Sequence, residues 1–169
     1  RKSPLEKRHS RVVGDLSEKL GSLLGLSDPE LKKLKRAAYL HDIGKIVLRS
    51  PLLLKEALSP EEYEEMKLHS IAGYRILNLF DDTLDLAEYV YGHHERWDGK
   101  GYPRGLREEE IPLLSRIISV VETYERVENR GELPQEERKK TALLEIERGT
   151  GTQFDPKIAD LFRKMMANA

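Results

Sequence analysis

Apolar residues recur at three- and four-residue spacings along most of the chain and nowhere alternate convincingly with polar ones. Leu5, His9, Val12, Leu16, Leu20 and Leu23 form one stripe. Leu31, Leu34, Ala38 and His41 form a second, and Tyr63, Met66, His69, Gly73 and Ile76 a third. This is the period of helices that turn one face inward. Proline and its neighbours mark the starts. Ser27-Asp28-Pro29-Glu30 and Ser59-Pro60-Glu61-Glu62 read as capping boxes with a proline in the first turn, and Asp155-Pro156 is a third start. The pattern predicts helices over 4–24, 28–42, 60–78, 83–95, 112–129, 134–148 and 156–168. The expected fold is all-α, a single-domain bundle of about seven helices. Two segments break the period: 44–55, rich in apolar residues, and 97–107, where Gly99, Gly101, Pro103 and Gly105 dictate tight turns. Gly131 to Pro134 reads as a short linker between helices.

Composition narrows the function. A chain of 169 residues fits one core. Lys plus Arg is 29 against 30 Asp plus Glu, a net charge of -1, which lacks the electrostatic footprint of a DNA or RNA duplex binder. Charged residues make up 35 %, against a usual share of about 25 %, and point to a densely ion-paired surface. The absence of cysteine excludes disulfides, thiol catalysis and Cys-ligated metals. Leu20 to Ser27 is the longest run without a formal charge, far short of the ~20 apolar residues of a membrane span. The expectation is a cytoplasmic domain, cut from a longer protein because it begins at Arg1 rather than Met.

The histidines carry the chemistry. The chain has five: His9, His41, His69, His93 and His94. The first three sit on the apolar stripes of three different predicted helices. A single inward histidine is ordinarily a hydrogen-bonded core residue, but three of them need partners to offset burial, and a shared metal is one. His41-Asp42 and His93-His94 are adjacent pairs. Neighbours on a helix diverge by ~100°, so such pairs suit two ions a few ångströms apart, with Asp42 offering one oxygen to each. Imidazole with carboxylate suits iron, manganese, zinc, cobalt or nickel better than magnesium or calcium. Glu122 is the candidate for a further ligand, with Glu125 three residues on; a solvated helix face is the alternative for both. Lys45, four residues after His41, would hold a phosphate oxygen, or else would serve as a cation at a helix C-terminus.

These residues form recognisable motifs. His41-Asp42-Ile43-Gly44-Lys45 resembles the HD motif of the HD-domain metal-dependent phosphohydrolases. His93-His94-Glu95-Arg96-Trp97-Asp98-Gly99-Lys100-Gly101-Tyr102-Pro103 resembles the longer and more specific signature of their HD-GYP subfamily. His9, His69 and the segment Gly151 to Pro156 match further family positions, so the resemblance covers nearly the whole chain. It implies an HD-domain-like bundle enclosing two divalent metal ions, iron or manganese first, with zinc, cobalt or nickel as alternatives. The implied activity is hydrolysis of cyclic di-GMP to pGpG, and onward to GMP in some members, by a water that two metals activate. Carried over by position, the metal ligands are His9, His41, Asp42, His69, His93, His94 and Glu122. Asp42 and Lys45 take the catalytic roles, and Lys45, Tyr102 and Arg130 contact substrate.

Three departures qualify the match. Glu122 and Glu125 replace two aspartates, and the family's arginine-rich segment is missing, with Arg130 shifted by one residue from a phosphate-binding position. Leu5 stands where members with a third metal carry a glutamate, so two ions are expected. The alternatives are a hydrolase of another cyclic nucleotide, a non-catalytic module that binds metal or messenger, and a purely structural bundle. Implied partners are a GGDEF-type cyclase domain or an N-terminal sensory or receiver domain.

Overall fold

A computed structural model describes residues 4–169 apart from Glu56. Among the described residues the regular structure is eight α-helices and three short 3-10 turns, the helices being α1 (Pro4–Leu23), α2 (Asp28–Leu40), α3 (Ser50–Leu53), α4 (Pro60–Leu77), α5 (Ala87–Tyr91), α6 (Leu113–Glu128), α7 (Gln135–Gly149) and α8 (Pro156–Ala167). The only extended pairing among them is an isolated bridge between Thr150 and Phe154. The all-α expectation holds, and no described helix is long and apolar enough to cross a membrane.

The starts behave as their sequences dictate. The Glu30 carboxylate accepts from the Ser27 N–H at 2.8 Å, and the Glu62 carboxylate accepts from the Ser59 N–H at 3.0 Å. Asp155 caps α8 by accepting from the Lys157 N–H, and its other oxygen takes Arg116 Nη1 at 2.8 Å, which ties α8 to α6.

α6 is the axis of the bundle. Every residue from Ile117 to Glu125 is buried, against α1 on one side and α7 and α8 on the other. Val13 and Leu20 of α1, Leu34 and Ala38 of α2, Ile146 of α7, and Ile158 and Phe162 of α8 complete the core around it. The Tyr124 ring meets the Phe162 ring edge-on, with centroids 5.2 Å apart. α4 and α5 pack together at the other end, and α4 also packs on the 3-10 turn Ile43–Val47.

Two segments differ from the periodic expectation. Residues 44–55 are not a loop: they hold the 3-10 turn and the single turn α3, both too short to leave a readable period. The expected helix over 83–95 is a 3-10 turn at Leu84–Leu86 followed by α5, which stops at Tyr91 with Gly92 as its cap. Glycine is a weak helix former. Ending there frees His93 and His94 from helical divergence, and their rings lie 4.1 Å apart on one side of the chain.

Candidate metal centre

The five histidines and Asp42 converge from four segments of the chain. His9 projects from α1. His41 caps α2, and Asp42 follows it. His69 lies in α4, and His93 and His94 follow α5. The approach of these segments depends on Gly44. A Cβ there would lie 1.8 Å from the His69 carbonyl oxygen and 2.5 Å from the Gly73 nitrogen, so only glycine lets the turn after Asp42 rest on α4.

Backbone carbonyls set the rings. His41 Nδ1 donates to Ala38 O at 2.6 Å, His69 Nδ1 to Met66 O at 2.5 Å, and His93 Nδ1 to Val90 O at 2.5 Å. Each bond reaches three residues back. It fixes the tautomer and turns the Nε2 lone pair to the centre. His9 Nδ1 is bound instead by the Glu125 carboxylate, whose other oxygen accepts from Asn129 Nδ2 at 2.8 Å. Glu125 is therefore a partner of a site histidine rather than a solvated residue.

The inward donor atoms fall into two groups. His9, His41 and Asp42 form one, and His69, His93 and His94 the other, each with its donor atoms within 4.8 Å of one another. Asp42 lies between them. Its Oδ2 is 3.4 Å from His41 Nε2 and 3.9 Å from His9 Nε2, while its Oδ1 is 3.7 Å from His69 Nε2. One carboxylate thus presents an oxygen to each side.

This donor set fits metal. His9 Nε2 and His41 Nε2 face each other at 3.2 Å, although both rings have their Nδ1 protons committed. Two lone pairs at that distance call for a shared cation, a proton or a metal ion. Two nitrogens each ~2.0–2.1 Å from one ion lie roughly 3 Å apart. His94 Nε2 and His69 Nε2 stand 3.1 Å apart in the same way. His93 Nε2 is buried with no hydrogen-bond partner among the described residues, an orphan lone pair that a metal would satisfy.

Electrostatics favour the neutral, ligating forms of His69, His93 and His94, and the ionised form of Asp42. Burial, aided by neighbouring imidazoles, holds His93 and His94 well below the ordinary imidazole range, and burial lowers His69 as well. Burial also weighs on His41, but the Asp42 and Glu122 carboxylates outweigh it and raise that ring. Burial alone would raise the Asp42 carboxyl; His41 and Lys45 overcome it and keep the group well below its usual range. Lys45 Nζ donates to Asp42 Oδ2 at 2.7 Å, reaching it across one 3-10 turn rather than along an extended α2.

The remaining sequence candidates separate. Glu122 is 6 % exposed and its charge acts on His41, Lys45 and Tyr102, but it stands outside both groups of three, with Oε1 3.3 Å from Arg126 Nε. Tyr102 stacks on the His94 ring, with centroids 5.0 Å apart and planes at 21°. Arg130 is exposed beyond the end of α6, and no side-chain contact joins it to the site among the described residues. Besides Lys45, the cation beside the site is Arg126, whose charge is felt at Lys45, His94 and Tyr102. Its position one turn after Glu122 was the available signal.

Glu95 was likewise given no role from sequence. It is 2 % exposed, and its two oxygens accept from the Arg104 N–H at 2.7 Å and the Leu106 N–H at 2.9 Å. These bonds clasp the glycine-rich loop that carries Tyr102. A Cβ on Gly101 would lie 2.4 Å from Arg96 N and 2.5 Å from His94 O, so glycine is required where the loop returns to the histidines. The Trp97 and Asp98 N–H groups donate to Gln153 O and Thr152 O, which joins this loop to the segment before α8.

Comparison with known proteins gives the family and the fold. A family profile described as HD domain covers residues 1–158. The chain belongs to the HD-domain family. Within that family, its His93–Pro103 run resembles the HD-GYP signature. Over 161 residues the domain is 40 % identical to a "Cyclic di-GMP phosphodiesterase" of Thermotoga maritima, covering 94 % of this chain and 44 % of that one. It is 35 % identical over 156 residues to the "Cyclic di-GMP phosphodiesterase response regulator RpfG" of Xanthomonas campestris, covering 90 % and 40 %. It is 31 % identical over 170 residues to "3'3'-cGAMP-specific phosphodiesterase 3" of Vibrio cholerae, covering 98 % and 36 %. The HD domain thus spans less than half the length of these relatives. Among solved structures, Bd1817, an HD-GYP-type protein of Bdellovibrio bacteriovorus, shares the fold with a TM-score of 0.75 at 24 % identity, over 96 % of this chain and 52 % of that one.

Proposed function

We propose that this HD domain hydrolyses a phosphodiester bond of a cyclic dinucleotide, cyclic di-GMP first, to give pGpG. The observation that carries the reading is the paired donor set: two groups of three joined by Asp42, with an orphan Nε2 on His93. His9, His41, Asp42, His69, His93 and His94 would hold two divalent ions, iron or manganese first, and Glu122 would add a carboxylate. Bound there, the ions would supply Lewis-acid charge stabilisation and an acidified water.

The chain's own residues do the rest. Asp42 holds the two groups in register, and Lys45 is positioned by Asp42 to receive a phosphoryl oxygen. Tyr102, held flat on His94, offers its hydroxyl as a hydrogen-bond donor, since a phenol is protonated at neutral pH. Arg126 adds a guanidinium at the rim, where Arg130 was the expectation from sequence. Proposed partners are a GGDEF-type cyclase domain or a sensory or receiver domain.

A second reading is a 3'3'-cGAMP phosphodiesterase, which the relatives of that name favour at 30–35 % identity. One experiment separates the two. The protein is purified anaerobically, loaded with iron or manganese, and given cyclic di-GMP and 3'3'-cGAMP in parallel, with products resolved by chromatography. Release of pGpG with a higher kcat/KM for cyclic di-GMP supports the first reading. A preference for 3'3'-cGAMP supports the second, and no product from metal-loaded protein overturns both.

A further inference from the structure

Outside the metal centre, one aromatic group has no part in the scheme above. Tyr63 lies in α4, six residues before His69, and keeps 49 % of its surface open. Its ring stands against the Tyr102 ring at 86°, with centroids 6.4 Å apart, and Tyr102 in turn stacks on His94. Lys67, one turn on, sets its ammonium in the corner, 5.1 Å from the Tyr63 centroid and 5.6 Å from that of Tyr102. Glu64 fixes that ammonium at 2.5 Å.

An exposed tyrosine is ordinarily of no consequence. This one is held in place from two sides, next to a ring that rests on a candidate metal ligand. A ring so fixed loses little entropy when a flat ligand settles on it. Any substrate whose phosphate reaches the histidines past Tyr102 brings the rest of its body to this corner. We propose that Tyr63, buttressed by Tyr102 and Lys67, is the stacking platform for a purine base of the substrate. This deepens the cyclic dinucleotide reading and rests on it. Base–aromatic stacking tolerates any base, and its modest preferences follow stacking strength, so the platform favours purines over pyrimidines.

The test uses metal-loaded wild-type protein, Tyr63→Leu and Tyr63→Phe. Turnover of cyclic di-GMP and cyclic di-UMP is measured, together with calorimetric binding of cyclic di-GMP and inhibition by inorganic phosphate, a probe without a base. In Y63L, kcat/KM and affinity for cyclic di-GMP should fall about tenfold or more, the advantage of cyclic di-GMP over cyclic di-UMP should shrink, and phosphate inhibition should stay within about twofold. Y63F should match wild type, because stacking needs the ring and not the hydroxyl.

If Y63L weakens both dinucleotides and phosphate alike, Tyr63 only props Tyr102 and the proposal is overturned. A Y63L protein indistinguishable from wild type overturns it too. If wild type binds cyclic di-GMP without turning it over, the phosphodiesterase reading fails, while weaker binding by Y63L still upholds the platform. Absence of binding defeats both.

Discussion

Glu95 offers the sharpest test of how this fold holds its site. Its buried carboxylate is the acceptor for two backbone N–H groups, at 2.7 and 2.9 Å, on either side of Gly105 in the loop that carries Tyr102. Hydrogen bonds to a charged acceptor contribute about 1.5–3 kcal/mol each. Glu95→Ala removes both and leaves two donors facing a vacated space, a loss of about 3–5 kcal/mol against a total stability of about 5–15 kcal/mol. Glu95→Gln keeps one acceptor oxygen and turns an amide against the other donor, so it should cost about 1–3 kcal/mol. Urea titrations of chelator-treated protein read the difference without stabilisation by bound ligand. The same variants should turn over substrate more slowly than wild type at equal metal content, because the loop that holds Tyr102 on His94 is loosened. An E95A protein within about 0.5 kcal/mol of wild type would refute the reasoning, since that is the range of an inconsequential surface change.

Asp42→Ala should lose metal and activity together, since Asp42 presents an oxygen to each group of histidines; metal content by mass spectrometry beside turnover checks this, and an active D42A would end the two-ion proposal. Gly44→Ala should destabilise the fold by about 3 kcal/mol or more and push His69 from its place, because a Cβ 1.8 Å from a backbone oxygen cannot be absorbed by side-chain motion; thermal unfolding and metal content read it. Asp98 is held at about 2 rather than 3.8, first by its bond to Arg96 and then by the Lys100 N–H, with burial opposing. Its folded value is depressed, so its stabilisation is present above about pH 4 and lost as pH falls through 2; Asp98→Asn should cost about 1–2 kcal/mol at pH 7 and flatten the acid limb of stability between pH 4 and 2.

Local patterns settled much of this protein before any contact was known. The three- and four-residue periods gave the helices, Ser27, Ser59 and Asp155 gave three of their starts, and the histidines on apolar stripes pointed to one centre. These features are legible because helix period, capping and burial act over a few residues along the chain. The period failed where elements were a turn long, as in the 3-10 turn after Asp42, and where α5 stopped at Gly92 so that His93 and His94 could turn the same way. What tertiary structure alone decided was which side chains meet. Glu125 binds His9 at a separation of 116 residues, Glu95 clasps its loop through backbone donors that any residue but proline would offer, and Arg126 rather than Arg130 pairs with Glu122 beside the centre. Nothing along the chain announces these pairings. They arise when packing on α6 brings distant segments to one place, where most buried polar groups meet a partner within reach.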